Sequence, residues 1–184
     1  MPPSPRGLLR RAHVSRAFAV PRRRLRYTSC MTLYFAYGTN MHRTSMRLRC
    51  PGAHAIGTGM LSGWRLLVTV DGYVSIVRRQ GGCVHGVLWR LTARDLAALD
   101  AYEAVAAGLY RRRVLTVLAD ERRQSAQVYI GRSIAQGRPR PGHMALVLAA
   151  AREWNLPAAY LDEMRQWAGP GRAGARAPES GEIR

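Results

Sequence analysis

Two apolar runs, 60–70 and 73–78, flank the dipeptide Asp71-Gly72, and this arrangement commits that part of the chain to an antiparallel hairpin. Gly81-Gly82 repeats the punctuation before a further run at 83–91, and reads as a second hairpin signal. Runs at 110–118 and 126–130 continue the strand pattern, and 33–37 is a short apolar, aromatic strand feeding a loop at Gly38. Residues 42–48 allow a helical turn. Residues 92–103 predict a helix, with Thr92 at its N-cap and Asp95 three residues on in a capping-box arrangement. A second helix is expected over 143–154, with Asn155 at its C-terminal cap. Pro157 suits the first turn of a third helix ending near Trp167. Mostly antiparallel strands with a few helices make the class α+β.

A chain of 184 residues suffices for one domain, placed at 31–167. Its apolar content of 47% suits a packed core, and the apolar run 145–151 is far short of the ~20 residues of a membrane span. The formal charge of +18 raises nucleic-acid binding, so its distribution matters. All 29 basic residues are arginine, a uniformity closer to the codon usage of a GC-rich genome than to a phosphate-binding surface. Eight of them fall in residues 1–30, which carry no acid, and residues 31–167 hold 18 arginines against 9 acids. Nucleic acid is therefore not the expected partner. The run Arg111-Arg112-Arg113 is expected to lie on a strand, with two side chains outward and one aliphatic stem along the sheet edge.

Residues 1–30 lack hydrophobic periodicity and are read as a disordered leader. They resemble either a targeting segment or an extension upstream of a start at Met31, the second being preferred because a strand begins at Leu33. Residues 168–184, rich in Gly, Pro, Ala and Arg, are expected to be a disordered tail. Cys30, Cys50 and Cys83 show no paired spacing, so neither a disulfide framework nor a zinc site is suggested, and a reducing, cytoplasmic setting is expected.

One residue conflicts with the core pattern. Glu103 follows Leu96 by seven residues and Leu99 by four, so a continuous helix puts its carboxylate on the apolar face. Burial there would push its pKa upward, as a proton-transfer group near neutral pH requires. The alternative is a helix that ends early, with Glu103 in solvent and paired with one of Arg111 to Arg113. Periodicity does not choose between them.

Four stretches in order resemble one family. Leu33-Tyr34-Phe35-Ala36-Tyr37-Gly38-Thr39-Asn40-Met41 resembles the Tyr-Phe-Ala-Tyr-Gly-Ser-Asn-Leu signature of the γ-glutamyl cyclotransferase (AIG2-like) family. Leu99-Asp100-Ala101-Tyr102-Glu103, followed by Gly108-Leu109-Tyr110, is similar to its Leu-Asp-x-x-Glu-Gly-Val-x-x-Gly-x-Tyr segment. Val84-His85-Gly86-Val87-Leu88-Trp89 resembles a family strand, and 139–164 its closing helical segment.

The resemblance implies a compact, barrel-like, mostly antiparallel sheet with flanking helices and a cavity at one end. It also implies a reaction in which the α-amino group of a γ-glutamyl unit attacks its own γ-carbonyl, releasing 5-oxoproline and an amine or amino acid. Glu103 would be the general acid/base. Tyr37, Gly38, Thr39 and Asn40 would form the substrate loop, Gly38 supplying backbone freedom and Asn40 side-chain donors, and Tyr110 and Tyr129 would line the cavity. No metal or other cofactor is implied. The expected partner is a small γ-glutamyl substrate, with no nucleic acid and no membrane, on a monomer or homodimer. The alternatives to turnover are a catalytically silent binding module of the same fold and, ranked lower, arginine-mediated nucleic-acid binding. The chain departs from the pattern at Thr39 for Ser, Ala104 for Gly and His143 for Tyr. These changes bear on specificity.

Overall fold

The computed structural model describes residues 31–168, so the leader and residues 169–184 of the expected tail lie outside the described residues. In chain order the elements are β1 Thr32–Ala36, a 3-10 turn Thr39–Met41, α1 Arg43–Arg49, β2 His54–Val68, β3 Val74–Leu91 and α2 Ala93–Tyr102. Then come β4 Tyr110–Ala119, β5 Arg122–Gly131, α3 His143–Glu153 and α4 Ala158–Arg165. The strands close into a barrel in the order β1-β3-β2-β4-β5. The pairs are antiparallel except β1 with β5, which is parallel where Tyr34 meets Gln127. The α+β class and the barrel both stand.

Asp71-Gly72 does make a turn: Gly72 N–H donates to Thr69 O at 2.9 Å, and β2 and β3 pair up to Val68–Val74. Gly72 sits at φ +81°, where a side chain would be strained. Gly81-Gly82 is a correction. The expected hairpin is absent, and 74–91 is one continuous strand. Ser62 pairs with Cys83 and Trp64 with Arg78, so residues 79–82 bulge from β3 opposite the single residue Gly63. Gly81 at φ +72° serves that bulge rather than a reversal.

β2 and β5 also begin earlier than expected, at His54 and Arg122. The tight turn before β5 is Asp120-Glu121, both at positive φ (46° and 61°), between the paired Ala119 and Arg122. That geometry is a type I′ hairpin built without glycine.

The capping box of α2 is formed in both directions. Asp95 N–H donates to Thr92 Oγ1 at 3.2 Å, and Thr92 N–H donates to Asp95 Oδ2 at 3.0 Å. Asp95 is 2% exposed and also accepts from Gly52 N–H at 3.2 Å, tying α2 to the loop after α1. Asp95→Ala leaves these donors without an acceptor and is expected to cost about 1 to 2 kcal/mol, read from urea unfolding. Asn155 lies at φ +50° directly after the cap residue Trp154, with Leu156 N–H reaching Ala151 O and Asn155 N–H reaching Arg152 O. This is a Schellman closure one residue beyond the simple cap. Pro157 precedes the first turn of α4 as its N-cap rather than sitting inside it.

The barrel interior is filled from every strand, with Phe35, Leu61, Leu66, Ile76, Leu88, Val117 and Val128 almost fully buried. Leu99 from α2, Met46 from α1 and Val147 from α3 extend this core outward. The indole Nε1–H of Trp154 donates to Met41 O at 2.7 Å, pinning the 3-10 turn after β1 against α3. The substrate-loop candidate is therefore braced by the helices. Arg111, Arg112 and Arg113 lie on β4 as expected, and all three are exposed. Among the described residues no helix is long and apolar enough to cross a membrane.

Candidate active site

A cavity of about 170 Å³ opens where the end of β1, the 3-10 turn, the C-terminus of α2 and the start of β4 converge. Every site residue named from the sequence borders it: Glu103, Tyr37, Gly38, Thr39, Asn40, Tyr110 and Tyr129. So do Tyr34, Tyr73, Tyr102 and His143, of which only His143 drew attention as a departure from the family pattern.

The ambiguity over Glu103 is resolved by the helix ending at Tyr102 without turning the carboxylate outward. Glu103 is the capping residue at φ −80°, ψ 5°, and its N–H still donates to Leu99 O at 2.8 Å. One helical turn beyond a buried leucine, its side chain points to the interior. It meets Asn40 there and no arginine of β4. Arg112 instead pairs with Asp100 at 2.8 Å, an exposed ion pair worth little on its own. Asn40 Nδ2 donates to Glu103 Oε1 at 2.7 Å and to the Tyr34 hydroxyl at 3.0 Å. Burial raises the Glu103 carboxyl to about 7, with the Asn40 hydrogen bond and the Arg49 charge pulling the other way. Near neutral pH the group therefore divides between acid and base, which is the chemical capacity of this site.

The residue after Glu103 is strained. Ala104 adopts φ +48°, in the left-handed region where a Cβ is unfavourable. Its N–H donates to Ala101 O and its carbonyl accepts from Leu109 N–H, so the turn that aims Glu103 fixes this conformation. The Gly expected there by resemblance would be unstrained. Ala104→Gly is expected to stabilise the fold by about 1 kcal/mol, raising the thermal midpoint with the Glu103 geometry kept.

Gly38 corrects an expectation. It does not occupy a glycine-only conformation, since its φ is −120°. What it provides is space, because a Cβ there would lie 2.7 Å from Val74 Cγ2, across the cavity wall. The tyrosines contribute rings more than free hydroxyls. Tyr37 OH donates to Tyr129 O at 2.6 Å, Tyr110 OH to Val74 O at 2.6 Å, and Tyr129 OH to Asp100 Oδ1 at 2.7 Å. Burial pushes all three phenols above their ordinary range, so they stay neutral walls. Tyr34 and Tyr129 pack edge to face, with ring centroids 5.6 Å apart.

His143 Nε2 accepts from Val74 N–H at 3.2 Å, which assigns any proton of the neutral ring to Nδ1. Burial and the neighbouring Arg140 hold it below the usual histidine pKa. Sequence reasoning missed Tyr34, Arg49, Tyr73 and Tyr102. Tyr34 sits in the short apolar, aromatic strand with Phe35 and Ala36 and looked like core. Arg49 closes a short helix, where a basic residue is ordinary. Among the described residues no group of three or more His, Cys, Asp or Glu is placed to hold a metal ion.

Comparison with known proteins bears on the family and the fold. The family model "Gamma-glutamyl cyclotransferase, AIG2-like" matches residues 34–155, which include the loop after β1, α2 and Glu103. The gamma-glutamylcyclotransferases of Homo sapiens and Mus musculus are each 26% identical over 144 residues, covering 72% of this chain and 77% of theirs. A solved gamma-glutamyl cyclotransferase superposes with a TM-score of 0.69 at 23% identity, over 84% of this chain and 94% of the other. YkqA from Bacillus subtilis superposes at 0.65 with 21% identity, over 74% of this chain and 54% of its own. Likeness at that identity speaks for the barrel alone, whereas the matched family model spans most of the chain. The chain belongs to the γ-glutamyl cyclotransferase, AIG2-like family.

Proposed function

We propose that this chain is a cofactor-independent γ-glutamyl cyclotransferase with Glu103 as its general acid/base. The observation that carries the reading is the Glu103 carboxyl, facing the cavity, hydrogen-bonded to Asn40 and poised at about 7. The substrate is a small molecule carrying an unblocked γ-glutamyl group. Its α-ammonium, titrating near ~8, gives a proton to Glu103. The freed amine nitrogen then attacks the γ-carbonyl carbon, closing a five-membered ring and placing negative charge on the carbonyl oxygen. As the bond to the leaving nitrogen breaks, Glu103 returns its proton to that nitrogen. The ring nitrogen, left with two hydrogens by the attack, gives its second proton through the regenerated Glu103 carboxylate to the released amine, which departs as an ammonium. The products are 5-oxoproline and an amine or amino acid, and the carboxylate is regenerated.

Ring closure is intramolecular, so much of the acceleration comes from holding the γ-glutamyl chain folded. The tyrosine walls and the small cavity support that role. The N–H groups of Thr39 and Asn40 open the 3-10 turn and have no acceptor within it. In this reading they receive the developing oxyanion. The relatives named as gamma-glutamylcyclotransferases support the reaction class. Cys50 and Cys83 are free thiols, in keeping with a reducing, cytoplasmic setting.

The test is 5-oxoproline release from γ-glutamyl amines and γ-glutamyl dipeptides by the full chain and its Glu103→Gln variant. Turnover by the parent that the variant loses supports the reading. Turnover that survives in Glu103→Gln removes Glu103 from its role, and a folded parent that turns over no panel member overturns the reaction.

A further inference from the structure

Asn40 touches Glu103, but nothing in an isolated asparagine says which end of its amide faces the carboxylate. The decision lies one residue further out. Arg49 Nη1 donates to Asn40 Oδ1 at 2.7 Å, and Arg49 Nη2 donates to the Tyr102 hydroxyl at 2.8 Å. Its guanidinium carbon lies 3.8 Å from the centroid of the Tyr102 ring, so one planar group is held by two hydrogen bonds and a ring face. A guanidinium offers donors only, so the amide oxygen of Asn40 must face it. The NH₂ end is then committed to Tyr34 and Glu103. With the amide turned over, its oxygen would oppose the carboxylate and favour the protonated acid.

We propose that Arg49 is a positioning residue, whose fork between Asn40 and Tyr102 fixes the Asn40 amide as a donor to Glu103. The role rests on the reading of Glu103 as the proton-transfer group. Arg49 does not line the cavity, and beyond the pull of its charge on Glu103 it acts through Asn40.

Other groups around Glu103 do not supply this. From β1 and the residue after it come Tyr34 and Tyr37, and from β4 Tyr110, all buried phenols raised above their usual range and so uncharged. Tyr129 of β5 is likewise neutral and bonded to Asp100, whose other oxygen holds Arg112. His143 of α3 is held neutral by burial and Arg140. Among the described residues, Arg49 is the cation that acts on the Glu103 carboxylate.

The experiment follows Glu103 itself. The sequence has six glutamates, so carbon-13 labelling of glutamate carboxyls gives a resolvable NMR titration, with the Glu103 signal assigned by its loss in E103Q. The full chain is compared with R49Q and R49K, alongside kcat/KM for 5-oxoproline release from pH 6 to 9 and thermal midpoints. In R49Q the Glu103 titration should move above its parent midpoint. Activity at pH 6 should then fall about tenfold, with the deficit shrinking above pH 8, as a tenfold change in ionisation requires. R49K keeps the charge but not the planar fork, and should lie between. An unmoved Glu103 titration in R49Q, whatever happens to its thermal midpoint, overturns the proposal, as does an R49K protein indistinguishable from the parent. Should R49Q fail to fold, R49K decides alone. A shifted Glu103 titration with no 5-oxoproline from the parent upholds Arg49's role and overturns the reaction assigned to the site.

Discussion

Glu103→Gln is expected to lower kcat for 5-oxoproline release by between about 10² and 10⁴, the usual contribution of a positioned acid/base. The substitution changes little else. A glutamine side-chain oxygen still accepts from Asn40 Nδ2, so the loop, the tyrosine walls and the cavity keep their places. What is lost is the ability to take a proton from the substrate's ammonium and hand it to the leaving nitrogen. KM should change far less than kcat, because binding of the γ-glutamyl chain falls to the loop and the walls. The parent's kcat/KM should fall as pH drops through about 7, since protonated Glu103 cannot act as the base. Any residual Glu103→Gln activity should lack that limb. A variant with kcat near the parent's, or with an unchanged acid limb, would mean that another group performs the proton transfer.

Much of this architecture was legible in the sequence, and the exceptions share a cause. Asp71-Gly72 announced its turn because glycine occupies a left-handed position there. Gly81-Gly82 looked the same, yet the chain does not reverse, since β2 continues alongside and absorbs the extra residues as a bulge. Local composition cannot separate a reversal from a bulge when the partner strand makes the choice. The Asp120-Glu121 hairpin was invisible because it takes positive φ without glycine, a strain that the β4–β5 pairing on both sides imposes. In the site, helical periodicity flagged Glu103 without choosing between core and solvent. The choice is made by the C-terminal turn of α2, which keeps the side chain beside Asn40. Tyr34, Arg49 and Tyr102 were missed because each has an ordinary local explanation, as core, helix terminus and surface. Their joint meaning exists only once β1, α1 and α2 converge.

Glu103 should also weaken the fold it serves, in a pH-dependent way that separates it from a structural carboxylate. Its folded pKa of about 7 lies above the ordinary 4.5, so between those values the folded protein binds more protons than the unfolded chain. Stability contributed by this group is therefore full below about pH 4.5 and is lost progressively as pH rises towards 7. A salt-bridged carboxylate, with a lowered pKa, does the reverse. Glu103→Gln removes the titration while keeping the shape and the Asn40 hydrogen bond. It is expected to be more stable than the parent at pH 8 by about 2 to 3 kcal/mol, the difference closing as pH falls to 4.5. Urea unfolding of both proteins across that range reads it directly. A pH-independent difference would mean that the variant acts through packing. A parent more stable than the variant at pH 8 would mean that ionised Glu103 is well solvated or paired, and the site would lose the desolvation that makes the carboxylate a base near neutrality. Activity and instability thus have one physical origin here: a carboxyl group taken largely out of water, held ionisable by the Asn40 amide donor and the nearby charge of Arg49.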